Sequence, residues 1–528
     1  MQDKLARWST ENKERKFDRL LRLITDRTWL AEAARVTLAS RGARTAGVDG
    51  IDKQRMEIDL PAELSRIRNE LLAGTYEPLP ARRVYIPKAS DKKKLRPLGI
   101  PSLRDRIVER AMLMAMQPIW ESDFHRLSYG FRPERSVHHA IRTVKFQLQD
   151  GDSQSLVGRW IIEGDLASYF DTVHHRLLMR AVRKRIADQR FLALLWNLIK
   201  AGCVDRGLFR AASEGVPQGG VLSPLLSNIM LNEFDQWMEV NYLSKKVRKD
   251  RWAWNFGILK RRPITVREGR QWKPAVAYCR YADDFTLVVK GTKAHAQEVR
   301  EACRAFLEGK LKLTLNMAKT HITHVNDGFV FLGHRIIRKR GPRGSMRPVT
   351  TIPWAKYRGL AQKIVKALSG NYSINKIDQV ETLNRILAGW AEFYRFTDYT
   401  ATVFQRLDRI VFWKLGHWLG RKYRATLKTL CRQWVRAPEP GRAKTWVLPG
   451  PDSHGAFREI TLRRLVTSRK GQFKWRLPQG NPYILRDEKP SIFESRYADL
   501  VFAMSNTRDG EPDALQGASP VRGGETGK

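Results

Sequence analysis

The stretch Ala277-Tyr278-Cys279-Arg280-Tyr281-Ala282-Asp283-Asp284-Phe285-Thr286-Leu287-Val288-Val289 constrains this chain more than any other. Val276 to Arg280 and Phe285 to Val289 are β-branched and aromatic runs, with Tyr281 to Asp284 as the turn between them. The pattern predicts a hairpin with two acids at its tip. Adjacent carboxylates repel each other and lose solvation when buried, so an apolar hairpin that presents both is suited to holding a cation. Oxygen-only ligands favour a hard ion such as Mg²⁺. A bare Asp-Asp pair is more often a solvated turn; the rest of the chain decides between the two.

Charge narrows the choice. The 528 residues carry a formal net charge of +42, far beyond what solubility asks for, and a polyanionic partner is the natural explanation. Nucleic acid fits. An anionic membrane surface would call for an apolar span of roughly 18 residues or a basic amphipathic anchor, and the sequence has no such span. The start, Met1 to Lys16, intersperses Asp3, Glu11 and Glu14 with its basic residues and has no apolar core, so neither a secretory signal nor a transit peptide fits. A cytoplasmic, bacterial setting is expected. Cys203, Cys279, Cys303 and Cys431 are scattered, without Cys-x-x-Cys spacing, and read as reduced packing residues.

Along the chain, Phe17 to Val36, Glu63 to Leu72, Ile107 to Ile119 and Ser136 to Phe146 have helical periodicity. Val84 to Pro87 reads as a strand, followed by a loop crowded with Lys88, Lys92, Lys93, Lys94 and Arg96, which is either a solvated tip or a phosphate-binding one. Trp160 to Gly164 reads as a buried strand ending in Asp165, ahead of a helix near His174. Gly215 to Gly220 is a flexible turn before a helix over Leu225 to Phe234. Lys245 to Lys273 mixes basic residues with Trp252, Trp254 and Trp272, which suits phosphate contact and base stacking or, equally, core packing. Leu311 to Asn316 alternates like a strand, and Phe329 to Ile337 suggests a second hairpin across Gly341 to Gly344. From Pro353 the periodicity is helical, with Leu383, Leu387 and Trp390 on one face and Leu407, Val411 and Leu415 on the next. Residues 401–490 hold 20 Lys+Arg against 6 Asp+Glu, a second polyanion surface. Pro438 to Gly455 reads as a linker or long loop, and the chain beyond Ser505 as disordered.

Asp165 and the Asp283-Asp284 pair are acids at the ends of apolar strands in a very basic protein. Brought together they would make a two-metal site for nucleotidyl transfer. The order of Ile86-Pro87-Lys88 with Arg96-Pro97-Leu98-Gly99-Ile100-Pro101, then Ser128-Tyr129-Gly130-Phe131-Arg132-Pro133, Asp165 to Asp171, Pro217-Gln218-Gly219-Gly220, Tyr281-Ala282-Asp283-Asp284, Lys319-Thr320 and Phe331-Leu332-Gly333 resembles a group II intron-encoded reverse transcriptase. Leu383 to Ala391 resembles the thumb, or maturase, domain of the same family. The resemblance covers residues 40 to 425 best.

The resemblance implies an α+β right-hand polymerase: fingers, a palm with an antiparallel sheet, a helical thumb, and a basic C-terminal extension. The expected division is 1–75 N-terminal helical extension, 76–350 fingers and palm, 351–436 thumb, 437–504 basic extension and 505–528 tail. Asp165, Asp283 and Asp284 would be the ligands of two Mg²⁺ ions. Phe170 would be the aromatic gate that selects deoxynucleotides. Lys88 and Arg96 would hold the triphosphate, with Lys319 near the phosphates, and Gln218 would contact the nucleotide near its sugar. Phe331, Leu332 and Gly333 would form the primer grip. Arg421, Lys422, Arg424 and Lys428 are candidates for RNA binding.

The implied partners are group II intron RNA, an RNA template with a DNA primer, deoxynucleoside triphosphates and, as one option for assembly, a second copy of the chain; no membrane is implied. Beyond residue 350 only Cys431, His417 and His454 are available, too few for the zinc-binding DNA endonuclease module with which many relatives end. Second-strand target cleavage is therefore not expected, and mobility would be primed from nicks or replication forks. A splicing cofactor that keeps the polymerase fold as a scaffold, or a reverse transcriptase taken into host defence or repair, is the alternative. Complete metal ligands and a complete gate argue for polymerization. Charge-removing changes among Arg421, Lys422, Arg424 and Lys428 should weaken RNA binding and lower the slope of log affinity against log salt by about 0.7–0.9 for each phosphate that is no longer neutralised. A salt titration by fluorescence anisotropy checks this; an unaltered slope would clear that surface of phosphate binding.

Overall fold

The computed structural model describes residues 1–87, 95–148, 159–244, 275–341, 346–466 and 480–484, positions 473, 475 and 477, and the backbone alone of four short strands within 252–273. The expectations for Lys88, for the other lysines of its loop and for the tail beyond Ser505 lie outside the described residues. The described chain is α+β, with fifteen α-helices, and falls into two compact units. No helix among the described residues is long and apolar enough to cross a membrane.

The first unit comprises the described residues within 1–124, 168–230 and 480–484. Its core is helical. Leu30, Ala31, Ala34 and Leu38 on Arg27–Ala39, and Ile107, Ala111, Met112 and Ala115 on Leu103–Trp120, are fully buried and recur at three- and four-residue spacing. Each of these helices starts where its sequence offers a cap: Asp26 accepts from the Trp29 N–H and Ser102 from the Asp105 N–H. A four-stranded sheet has the order Leu95–Ile100, Ala81–Pro87, Cys203–Asp205, Leu208–Arg210. Its first pair is antiparallel, with Ile86 opposite Arg96, and its second is parallel.

The second unit comprises the described residues within 125–167 and 231–479. At its centre lies an antiparallel sheet in the order Ala275–Tyr281, Asp284–Lys290, Arg159–Gly164, His321–His324. Both faces are covered, which accounts for the unbroken apolar runs in the sequence. Ala140, Ile141 and Val144 of the helix Val137–Leu148 pack with Ile161, Cys279 and Val288. Tyr278 and Phe285, with the opposite parity, meet Phe234, whose ring centroid lies 6.0 and 5.2 Å from theirs. Phe285 stands opposite Gly164, and its ring fills the space that a side chain on Gly164 would need: an added Cβ would come within 2.1 Å of it.

Two expectations fail here. Leu311 to Asn316 is not a strand: Lys312 is left-handed (φ 59°), and the segment makes only an isolated antiparallel bridge between Leu315 and Leu166. Its alternation is real, since Leu311, Leu313 and Leu315 are all buried, but it comes from a loop pressed onto the core. The fourth strand of the sheet is His321–His324 instead. Likewise, Pro438 to Gly455 is not a long loop throughout. Thr445–Pro451 is the middle strand of a small sheet between Val435–Arg436 and Phe457–Thr461. Trp446, Val447 and Leu448 are buried, and the Trp446 indole N–H donates to the Phe412 carbonyl at 3.0 Å. Pro449 and Pro451 stand where the short strand Val435–Arg436 no longer pairs, so that edge tolerates them.

A turn at Leu332-Gly333, not anticipated, joins Phe329–Phe331 to His334–Arg340, and the hairpin expected across Gly341 to Gly344 pairs His334–Arg340 with Met346–Thr351. Four helices follow, Trp354–Ala367, Lys376–Tyr394, Thr400–Tyr423 and Leu427–Trp434, and they bury the stripes anticipated from periodicity, including Leu383, Leu387, Leu407, Val411 and Leu415. Trp446, Leu448, Leu462 and Leu465 belong to the same apolar cluster. Gly164→Ala should force the Phe285 ring aside and destabilise this unit by about 1–3 kcal/mol, the usual range for overpacking. A lower thermal midpoint, partly recovered by adding Phe285→Leu, is the expected result.

Candidate active site

The hairpin closes on the pair Tyr281 and Asp284, with Ala282 in the left-handed region (φ 56°). The strand Arg159–Gly164 lies beside Asp284–Lys290, so Asp165, the next residue along, emerges at the same sheet end as the turn. The three acids are close enough to feel one another. Burial, then Asp283, then Asp165 push the Asp284 carboxyl up to about 7, while Lys319 opposes the shift.

Asp165 is held by the loop that replaced the expected strand. The Asn316 N–H donates to its carbonyl at 2.9 Å, the Asn316 side-chain amide to Oδ2 at 3.1 Å, and Lys319 Nζ to the same oxygen at 2.8 Å. Lys319 thus meets a carboxylate in this structure. Asn316 was missed, because a residue counted into a strand gives no sign that it will reach back to an acid far away in sequence.

The donor set suits a hard cation: three carboxylates, oxygen only, whose mutual repulsion a metal would relieve. Among the described residues no three or more His, Cys, Asp or Glu side chains are grouped so that they could hold a metal ion as they stand. An ion here would take much of its shell from water and substrate phosphates, as Mg²⁺ commonly does.

Phe331, Leu332 and Gly333 lie in the same unit. Leu332 and Gly333 both have positive φ, 48° and 77°, and their carbonyls are tied down: Tyr394 donates to Gly333 O at 3.1 Å and His334 Nδ1 to Leu332 O at 3.1 Å. Burial lowers His334 to about 4, so the ring is neutral near pH 7, and the bond to Leu332 O calls for the tautomer with its proton on Nδ1. Neither tie was legible in sequence.

The first unit gathers a separate set. Phe170 sits in a single 3₁₀ turn, Tyr169–Asp171, and its carbonyl accepts from the Val216 N–H at 2.7 Å. The Gln218 carbonyl accepts from the Gly99 N–H at 2.7 Å, which brings the Gln218 turn against the strand that carries exposed Arg96. Gly219 needs its freedom, with φ 121° and the Gly99 carbonyl 2.5 Å from where a Cβ would be. A cavity of about 280 Å³ opens here, lined by Arg83, Gly99, Asp171, Gly215 and Pro217 among others. Glu109, also missed, is buried on the helix Leu103–Trp120 and accepts from the N–H groups of Val221 and Leu222, which fixes the far side of the Gly-Gly turn. Burial pushes its carboxyl up to about 7.

Of the four candidate RNA-binding residues, Arg421, Arg424 and Lys428 are exposed around the end of the helix Thr400–Tyr423. Arg421 donates to the Tyr372 hydroxyl at 2.9 Å and Lys422 to the Tyr372 carbonyl at 2.8 Å.

Comparison with known proteins places the chain in a family. The pattern described as reverse transcriptase (RNA-dependent DNA polymerase) matches residues 86–336, and that of the group II intron maturase-specific domain matches residues 358–437. The chain is 67% identical over 369 residues to Protein YkfC of Escherichia coli (strain K12), covering 70% of this chain and 96% of that one. This chain belongs to the group II intron reverse transcriptase/maturase family. It is 31% identical over 375 residues to the group II intron-encoded protein LtrA of Lactococcus lactis subsp. cremoris, covering 64% of this chain and 60% of LtrA. To the putative COX1/OXI3 intron 2 protein of Saccharomyces cerevisiae it is 29% identical over 343 residues, covering 60% of this chain and 39% of the yeast protein. Its enzyme class, as a member of the reverse transcriptase/maturase family, is RNA-directed DNA polymerase. The maturase-specific match supports binding of group II intron RNA in splicing and retrohoming.

Proposed function

We propose that this chain extends a DNA primer along an RNA template at the carboxylates Asp165, Asp283 and Asp284, and binds its own intron RNA through the basic faces of the 351–436 helices and the extension beyond them. The observation that carries the reading is the convergence of three acids, far apart in sequence, at one end of a sheet buried on both faces. A resident pair of Mg²⁺ ions would lower the pKa of the primer 3′-hydroxyl and neutralise the leaving pyrophosphate. The protein's part is to hold the ligands. Gly164 and the turn at Ala282 fix where the carboxylates stand, and Asn316 orients Asp165. Lys319, paired with Asp165, can swing to a phosphate once cations arrive; its side chain is 65% exposed.

In this reading residues 76–350 are fingers and palm, 351–436 the thumb, 1–75 and 437–504 flanking extensions, and 505–528 a tail. Lys88 and Arg96 bind the triphosphate, Gln218 lies near the sugar, and the Phe170 ring excludes a ribose 2′-hydroxyl. The Phe331-Leu332-Gly333 turn, with both of its left-handed carbonyls tied, is stiff enough to hold a primer terminus. Arg421, Lys422, Arg424 and Lys428 meet phosphates of the intron RNA, and a bacterial cytoplasm is the setting.

Primer extension on an RNA template with Mg²⁺ and deoxynucleotides tests the reading. Asp283→Ala and Asp284→Ala should each abolish synthesis while RNA binding stays near that of the parent chain; a parallel loss of binding would make the carboxylates structural. Retained RNA binding without synthesis by the parent chain would favour the splicing-cofactor alternative. Phe170→Ala should admit ribonucleotides, measured as the ratio of kcat/KM for deoxy- over ribonucleotide. An unchanged ratio removes Phe170 from the gate.

A further inference from the structure

We propose that Arg280, Asp235 and Gly130 are positioning residues that fix the Asp283-Asp284 turn from behind and so set the geometry of its carboxylates, an inference that rests on the carboxylate assignment above. Arg280 and Asp235 are both completely buried. Arg280 Nε donates to Asp235 Oδ1 at 2.8 Å and Nη2 to Oδ2 at 2.5 Å, a two-pronged pair, and the Tyr278 hydroxyl adds a third bond to Oδ1 at 2.6 Å. The pair leaves Nη1 for the turn. It donates to the Ala282 carbonyl at 2.9 Å, and Ala282 is the left-handed residue immediately before Asp283.

The turn is gripped from a second side. Leu127 to Tyr129 run parallel to the end of the strand Ala275–Tyr281: the Arg280 N–H donates to Leu127 O and the Tyr129 N–H to Arg280 O, both at 2.9 Å. The next residue, Gly130, lies directly against the turn backbone, and a Cβ on it would come 2.4 Å from Ala282 N and 3.0 Å from Tyr281 C. Only a residue without a side chain fits there.

Stability alone does not account for this arrangement. A buried ion pair can usually be exchanged for apolar residues of like volume without destabilising the fold. What an apolar pair cannot supply is a rigid fork that satisfies Asp235 and still has a donor for Ala282 O. Lysine cannot supply it either, because its ammonium is a single point of charge on a flexible stem. The side chains on the far side of the hairpin thus decide where two adjacent, mutually repelling acids point.

The test is single-nucleotide primer extension by the full chain across a range of Mg²⁺ concentrations, run beside thermal melting and RNA binding. Arg280→Lys keeps the charge pair with Asp235 and removes the bond to Ala282 O. It should melt close to the parent and bind RNA equally well, yet fall about 100-fold in kcat, the scale of an ångström-sized misplacement, and need several-fold more Mg²⁺ for half-saturation. Gly130→Ala, which leaves the ion pair intact and pushes on the turn backbone, should shift the same two readouts in the same direction; it decides the matter if Arg280→Lys fails to fold. Folded variants with the kcat and Mg²⁺ half-saturation of the parent overturn the proposal. Asp283→Ala separates the two readings: if it is inactive while Arg280→Lys and Gly130→Ala match the parent, only the positioning role falls, and if it still extends primers, the carboxylate assignment falls as well.

Discussion

Repulsion among Asp165, Asp283 and Asp284 is the constraint that the second unit is built to withstand. Left to itself, a pair of acids on an apolar hairpin would splay into water or take up protons, and burial has already carried Asp284 up to about 7. The structure counters with backbone. Four antiparallel strands lock the register, the Phe285 ring closes over Gly164, and the loop Lys312 to Lys319 clasps Asp165 through Asn316. The acids are therefore held by groups that do not titrate near neutrality.

The first unit faces a different demand, the close approach of two backbone segments at Gly99 and the Gln218 turn. It meets this with glycine and buried carboxyl chemistry rather than with a metal. Gly219 permits the approach to the Gly99 carbonyl, and Glu109 receives the two N–H groups at the start of the helix Ser223–Met238, where helix ends leave donors unsatisfied. With Phe170 anchored through its carbonyl to Val216 and Gln218 through its own to Gly99, this unit holds both residues on short, well-tied segments.

Much of this was legible in the linear chain, for identifiable reasons. Strands buried on both faces leave unbroken runs of Val, Ile, Leu and Phe, so Arg159–Gly164 and the Asp-Asp hairpin show nearly their true bounds in the sequence. Amphipathic helices give themselves away by period, as in Leu383 and Leu387. Periodicity misleads at Leu311 to Asn316, where a loop laid on a core repeats every second residue as a strand does. Proline and glycine mislead at Pro438 to Gly455, because an edge without a partner tolerates proline.

By itself the sequence determined the chemistry: oxygen ligands for a hard cation, a basic surface for a polyanion, and the order of motifs that places the chain in its family. Those follow from residue identity and neighbours, which sequence records in full. Only the tertiary structure decided which groups support the acids. Asn316 on Asp165, Arg280 from Asp235 to Ala282, Gly130 beneath the turn and Tyr394 on Gly333 all join segments far apart in the chain. Their partners are chosen by strand register and helix packing, and a one-residue slip of register would have turned each strand's side chains to the opposite face of the sheet.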